Sequence, residues 1–318
     1  MTMYPCVERR HQLLQGALNL HVFASSQDCL AEAGGFHKSE VKESPMFHGL
    51  THEVIYAAAR TTATFIGPDG SEKQCTGTAF GINVEGTTVL VTNRHMVDLN
   101  FGRTDGKYVG YELAHLICET RARDAADGTP GAVRSLQVPM SHNEILFDAN
   151  PLNDVAVIFN VQSANLDGSD DREWGYSFNL SDVATEDELR RDLHPFDFLA
   201  IPGFPDGFDK AGMRAIIRAG TIACDPRFEY SFASQDKGEI LVFDGFSFSG
   251  SSGSPVIAVP KSPPTNVDPH IGNRFRRLLL VGVNAGHITT ATMQHAGLSY
   301  FVRSSVIRRI IDARLTRQ

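Results

Sequence analysis

The segment Phe248-Ser249-Gly250-Ser251-Ser252-Gly253-Ser254-Pro255 runs straight into the apolar stretch Val256-Ile257-Ala258-Val259. A tight glycine-flanked turn feeding a β-branched strand constrains the fold more than any other part of this chain. Gly250 permits backbone angles closed to other residues and lets a second group come close. Ser252 on such a turn has the setting of a nucleophile. The N–H groups of Gly250 and Ser252 are then placed to converge on one oxygen, as an oxyanion hole requires. Gly/Ser turns are also common loop chemistry, so the turn alone decides nothing.

A serine hydroxyl is a poor nucleophile at neutral pH. It needs a histidine to take its proton and a carboxylate to hold the histidine tautomer. The chain has 12 histidines, and one stands out by context. Thr87-Thr88-Val89-Leu90-Val91-Thr92 reads as a buried strand that ends in Asn93-Arg94-His95-Met96-Val97. His95 therefore sits just past a strand end, on rigid support; the plainer alternative is a partly exposed loop residue. Asp154 opens the run Asp154-Val155-Ala156-Val157-Ile158-Phe159. A carboxylate at the head of an apolar strand is at least partly buried and needs a partner. That partner is either a backbone N–H or the imidazole of His95.

The three candidates occur in the chain order His95, Asp154, Ser252. Gly77-Thr78-Ala79-Phe80-Gly81, a turn at Val84-Glu85-Gly86 and the strand into His95 read as a β-hairpin that delivers the base. With Thr76-Gly77-Thr78-Ala79-Phe80, Thr92-Asn93-Arg94-His95, Asn153-Asp154-Val155-Ala156-Val157 and Gly250-Ser251-Ser252-Gly253-Ser254-Pro255, the chain resembles the trypsin-like (chymotrypsin-fold) serine peptidases over roughly residues 51–312. Gly297-Leu298-Ser299-Tyr300-Phe301-Val302-Arg303-Ser304 places it closer to the HtrA-like bacterial type than to digestive trypsins. The resemblance implies an all-β fold of two six-stranded antiparallel barrels, with a C-terminal helix and an N-terminal extension. It implies that Val281-Gly282-Val283-Asn284-Ala285-Gly286 is the strand lining the substrate cleft, with Asn284, Ala285 and Gly286 binding substrate. It also implies that Phe246, six residues before Ser252, forms the base of the side-chain pocket. An apolar or small side chain at the cut site follows.

One departure matters. Digestive members carry aspartate just before the nucleophile, where a freed N-terminus pairs with it; here that residue is Ser251. Activation by such cleavage is not expected, and a partner that orders the turn is one substitute.

Net charge is −8, from 29 Lys+Arg against 37 Asp+Glu, which argues against a nucleic-acid or anionic-membrane surface. No run approaches the length of a membrane span. The five cysteines (Cys6, Cys29, Cys75, Cys118, Cys224) are widely spaced and lack a C-x-x-C pair, so neither a zinc site nor a disulfide framework is expected. No cofactor or metal is expected. The N-terminus has no apolar core of signal-peptide length, and a cytoplasmic location is the expectation.

The chain divides into an extension over 1–50, a first barrel over 51–160 carrying His95 and Asp154, a connection over 161–194, and a second barrel with C-terminal helix over 195–318 carrying Ser252. Arg121 to Gly128 is expected to be an exposed loop. Thr185-Glu186-Asp187-Glu188 reads as a capping box that opens a helix. Arg303, Arg308, Arg309, Arg314 and Arg317 are expected to form a solvated helix face, with Ser304 as its cap. The expected activity is a serine endopeptidase that hydrolyses peptide bonds through an acyl-enzyme. Its partners are a protein or peptide substrate and a regulatory protein. The alternatives are a binding or scaffold module on the same fold, with little or no turnover, and an esterase.

Overall fold

The computed structural model describes residues 50–317, apart from 125, 167, 169–173, 232–236, 262–275 and 290–294. The extension expected over 1–50, with Cys6 and Cys29, lies outside the described residues but for Leu50. A short helix α1 (Glu53–Tyr56) leads into the first sheet. Its strands are β1 (Ala58–Ile66), β2 (Glu72–Val84), β3 (Thr87–Thr92), β4 (Glu112–Arg123), β5 (Pro130–Pro139), β6 (Glu144–Phe147), β7 (Ala156–Phe159), β8 (Ala164–Asn165) and β9 (Phe178–Asn179). Their order is β6-β7-β3-β2-β1-β4-β5-β8, with β9 pairing β2 in parallel.

The β2–β3 hairpin closes at Val84↔Thr87, with Glu85 at φ +51 and Gly86 at φ +85. Two successive positive φ values match the right-handed twist of the flanking strands, which is why this sequence turns in two residues. The first sheet corrects the expectation of a closed six-stranded barrel. It is nine-stranded and curled into a half-barrel, because the edge strands β6 and β8 do not meet. The expected loop at Arg121 is also corrected. Arg121–Arg123 end β4, and the Arg121 guanidinium donates to the carbonyls of Gly131 at 2.7 Å and Gly212 at 3.0 Å.

After α2 (Glu186–Asp192), six strands close the second barrel: β10 (Phe198–Gly203), β11 (Ile216–Ile222), β12 (Ile240–Asp244), β13 (Pro255–Ala258), β14 (Leu279–Thr289) and β15 (His295–Arg303). Their order is β10-β11-β12-β15-β14-β13. Leu199, Ile201, Leu241, Phe243, Val256 and Phe301 fill its interior. α2 starts at the predicted capping box: Glu188 N–H donates to Thr185 Oγ1, and Thr185 N–H donates to Glu188 Oε2.

Helix α3 (Ser304–Leu315) buries Val306, Ile307, Ile310 and Ile311 in a core shared with Phe80 and Val157 of the first sheet and Val302 of the second. Each such side chain contributes about 2 kcal/mol of hydrophobic stabilisation. The helix thus fastens the two sheets together. Ser304 is its first residue rather than its cap; the Ser304 hydroxyl donates to Ala184 O at 2.9 Å.

Candidate active site

β3 ends at Thr92, and Asn93 leads into a single 3-10 turn, Arg94–Met96. His95 rides on that turn with its side chain 34% exposed. Buried Asn93 donates from Nδ2 to Asp154 O at 2.7 Å, joining the two loops. The Arg94 guanidinium lies over the rings of Phe147 and Phe101, at 4.5 and 5.1 Å, and fixes the other side of the turn.

Asp154 stands two residues before β7, with its side chain only 13% exposed. Its Oδ1 accepts the His95 backbone N–H at 2.9 Å, and its Oδ2 accepts His95 Nδ1–H at 2.7 Å. Both partners considered from the sequence are therefore present. Because the carboxylate accepts, Nδ1 carries the ring proton and the lone pair of Nε2 is left free of it. Tyr300 stands close to this pair. Burial, and then the charge of Asp154, push its hydroxyl up to about 12, so it stays a hydrogen-bond donor at neutral pH.

The Ser252 turn is closed by Ser251 N–H donating to Phe248 O at 2.9 Å, with Gly250 at φ +87. A bend with a positive φ at its third residue is a type II turn, which selects glycine there. A Cβ at Gly250 would also collide with Phe204 O. Gly253 N–H donates to Asn284 O at 3.0 Å and Ser254 N–H to Ser251 O at 3.1 Å. The N–H groups of Gly250 and Ser252 donate to no protein acceptor among the described residues. Two such donors flanking a candidate nucleophile are what an oxyanion hole needs.

Thr78, on β2, joins the two halves of the site. Its Oγ1 donates to Gly250 O at 2.8 Å and its N–H donates to Ser252 O at 2.8 Å. Its own carbonyl accepts Thr92 Oγ1–H at 2.8 Å, at the end of the strand that leads to His95. The structure thus hydrogen-bonds His95 to Asp154 and ties the Ser252 turn to the same strand pair. The Ser252 hydroxyl makes no hydrogen bond to His95 among the described residues. Catalytic contacts are commonly long before substrate binds.

The residues expected to bind substrate are placed unequally. Asn284 is buried, and its Nδ2 donates to Ser247 Oγ and Ser251 O, both at 2.8 Å. Its side chain is thus tied to the turn that carries Ser252. Ala285 is buried and Gly286 is partly exposed, beside the Tyr300 hydroxyl. Phe246 is 49% exposed, stacked on Phe248 with centroids 6.1 Å apart and tilted against His295 at 4.7 Å. His295 in turn stacks on His287 at 4.5 Å. Burial, then His287 and Arg218, hold His295 below its ordinary pKa. The Ser251 hydroxyl is buried and has no hydrogen-bond partner among the described residues.

Thr78 and Tyr300 stand at the site, and the sequence assigned neither a role. A threonine beside glycine in a buried strand is the one signal that singles out Thr78.

The paired antiparallel sheets, with the histidine and aspartate on one and the serine turn on the other, form the chymotrypsin-like fold. No protein-family model matches the chain, and no curated protein matches it. Solved structures do. One is the HtrA-type protease AlgW with a decapeptide, at 14% identity and a TM-score of 0.45, covering 82% of this chain and 65% of that one. Another is a variant of AlgW with a tripeptide, at 14% identity and a TM-score of 0.45, covering 81% of this chain and 60% of that one. The likeness is one of fold, and this chain spans less than two thirds of the length of these structures.

Proposed function

We propose that the protein is a serine endopeptidase working through an acyl-enzyme. The observation that carries this is the double grip of Asp154 on His95, through the backbone N–H and Nδ1–H together. Such a grip fixes both ring orientation and tautomer, which an aspartate that merely precedes a strand has no structural need to do. Ser252 Oγ attacks the scissile carbonyl carbon while His95 Nε2 takes the hydroxyl proton. The developing oxyanion is held by the N–H groups of Gly250 and Ser252. Collapse breaks the C–N bond, and His95 returns the proton to the leaving amine. Water, deprotonated by the same histidine, then releases the acyl group.

The half-exposed Phe246 and Phe248 rings favour a peptide with an apolar side chain near the cut. Ser251 in place of an aspartate supports control by a protein partner that orders the Ser249–Ser252 turn. Cys75, Cys118 and Cys224 are free of disulfides among the described residues, and we place the protein in a reducing, cytoplasmic setting. Cleavage profiling on a peptide library, with S252A as control, tests the proposal. Wild-type protein is expected to cut peptides and S252A to leave them intact; equal cutting by both would end this reading.

A further inference from the structure

Of the arginines expected to form a solvated face on and around α3, Arg303 is buried and Arg308, Arg309 and Arg314 are drawn into bonds with the body of the fold. Arg303 reaches Glu186 at 2.9 Å, Arg308 donates to the carbonyls of Val183 and Leu180, and Arg314 pairs with Glu144 at 2.7 Å. Arg309 leads to the candidate catalytic carboxylate. Its Nε and Nη2 donate to Asp148 Oδ2 and Oδ1 at 2.7 and 3.0 Å, and its Nη1 and Nη2 donate to the two oxygens of Glu239.

Asp148 and Glu239 share a single amide. Asn153 Nδ2 donates to Asp148 Oδ1 at 2.9 Å and to Glu239 Oε1 at 3.1 Å. Asn153 Oδ1 accepts the Glu239 backbone N–H at 2.8 Å. Asn153 is fully buried and immediately precedes Asp154. Gly238, at φ +77, lies so close that a Cβ there would collide with Asn153 Oδ1. Through these carboxylates helix α3, the approach to β12 and the first sheet are therefore all linked to the residue that precedes Asp154.

We propose that Arg309 is a positioning residue for the Asp154–His95 pair, its guanidinium fork holding Asp148 and Glu239 in the arrangement both need to grip Asn153. The inference rests on the reading of His95, Asp154 and Ser252 as catalytic. Two carboxylates on one amide repel each other, and the cation spanning them removes that repulsion. Burial pushes the Asp148 carboxyl up; the Arg309, Asn150 and Asn153 hydrogen bonds outweigh it and hold it below the ordinary value. Lysine supplies the charge as a single point and cannot reproduce the planar fork. Arg309 is itself 47% exposed, so shortening it opens no core void.

The test compares R309K with R314K in the full chain. Both substitutions weaken an ion pair between α3 and the first sheet, and only the first touches the Asn153 cluster. The measurements are kcat and KM on a cleaved peptide, the thermal midpoint, and the low-field proton resonance of His95 Nδ1–H. R309K is expected to lower kcat about 10-fold or more with KM unchanged, and to shift or broaden that resonance. R314K is expected to leave kcat and the resonance as in wild type. E239Q keeps an acceptor for Asn153 while removing one charge, and is expected to fall between the two. Wild-type kcat and resonance in R309K, or changes in both arginine variants that simply track the thermal midpoint, overturn the proposal. If S252A still turns over, the catalytic reading fails separately. The His95 resonance then decides the coupling alone, and an unchanged resonance in R309K overturns it.

Discussion

Thr78 Oγ1 donates to Gly250 O at 2.8 Å, so a strand of the first sheet holds the turn of the second barrel that presents Ser252. The same oxygen accepts Phe204 N–H at 3.3 Å. Replacing Thr78 by valine keeps the shape and leaves two buried backbone groups unpaired. T78V is expected to lose about 1–3 kcal/mol in urea unfolding. It is also expected to react more slowly with a serine-directed probe. Lost stability with an unchanged labelling rate would show that this bond does not shape the turn.

Gly250 and Gly86 offer a matched comparison. Both have positive φ, at +87 and +85, but a Cβ at Gly86 meets nothing within 4 Å. G86A is expected to cost about 1–2 kcal/mol from backbone strain alone, with labelling retained. G250A adds the collision with Phe204 O and is expected to lose labelling as well. Equal behaviour of the two variants in both assays would contradict the account of the turn.

Asn284 is bound to the Ser252 turn through its side chain. N284A removes the donor to Ser251 O and Ser247 Oγ and is expected to cost about 1–3 kcal/mol. Its kinetic signature is a fall in kcat with little change in KM. A rise in KM alone would instead restore Asn284 to the substrate-binding role expected from sequence.

Acid stability draws on several carboxylates held below their ordinary values, among them the partly buried Asp148, Glu186 and Glu188. Burial pushes Asp148, Glu186 and Glu188 up. The Arg309, Asn150 and Asn153 hydrogen bonds together outweigh it at Asp148, Arg190 and Arg303 with Ser305 at Glu186, and Thr185 with Arg277 at Glu188. The unfolded chain therefore binds protons more readily than the folded one. The resulting stabilisation is fully present above the ordinary values of 3.8 and 4.5 and is lost as pH falls through the lower folded values. Urea midpoints are expected to drop below about pH 4.5, and D148N to flatten that decline. An acid limb in D148N identical to wild type would remove Asp148 from this explanation.

The site was legible where chemistry and local structure coincide. His95 past a β-branched strand, Asp154 before an apolar one, and Ser252 between glycines each carry a local signal. The α2 capping box is legible for the same reason, since both partners lie within one turn. The α3 arginines were not, because Arg309 meets Asp148 across 161 positions of sequence. Helical spacing shows which residues share a face, not which distant carboxylates that face will meet. Closure of the first sheet was equally hidden, since it depends on whether two short edge strands meet in space.

The central claim is that Ser252 is a nucleophile activated by the His95–Asp154 pair. The direct measurement is covalent labelling by a fluorophosphonate, located by peptide mass spectrometry, in wild type, S252A, H95A and D154N. The predicted result is a single adduct on Ser252 in wild type and none in S252A. H95A should label at a greatly reduced rate, and D154N roughly 10⁴-fold more slowly than wild type. Labelling of Ser252 at the wild-type rate in D154N, or no labelling of wild type even with a cleavable peptide or a partner present, would contradict it.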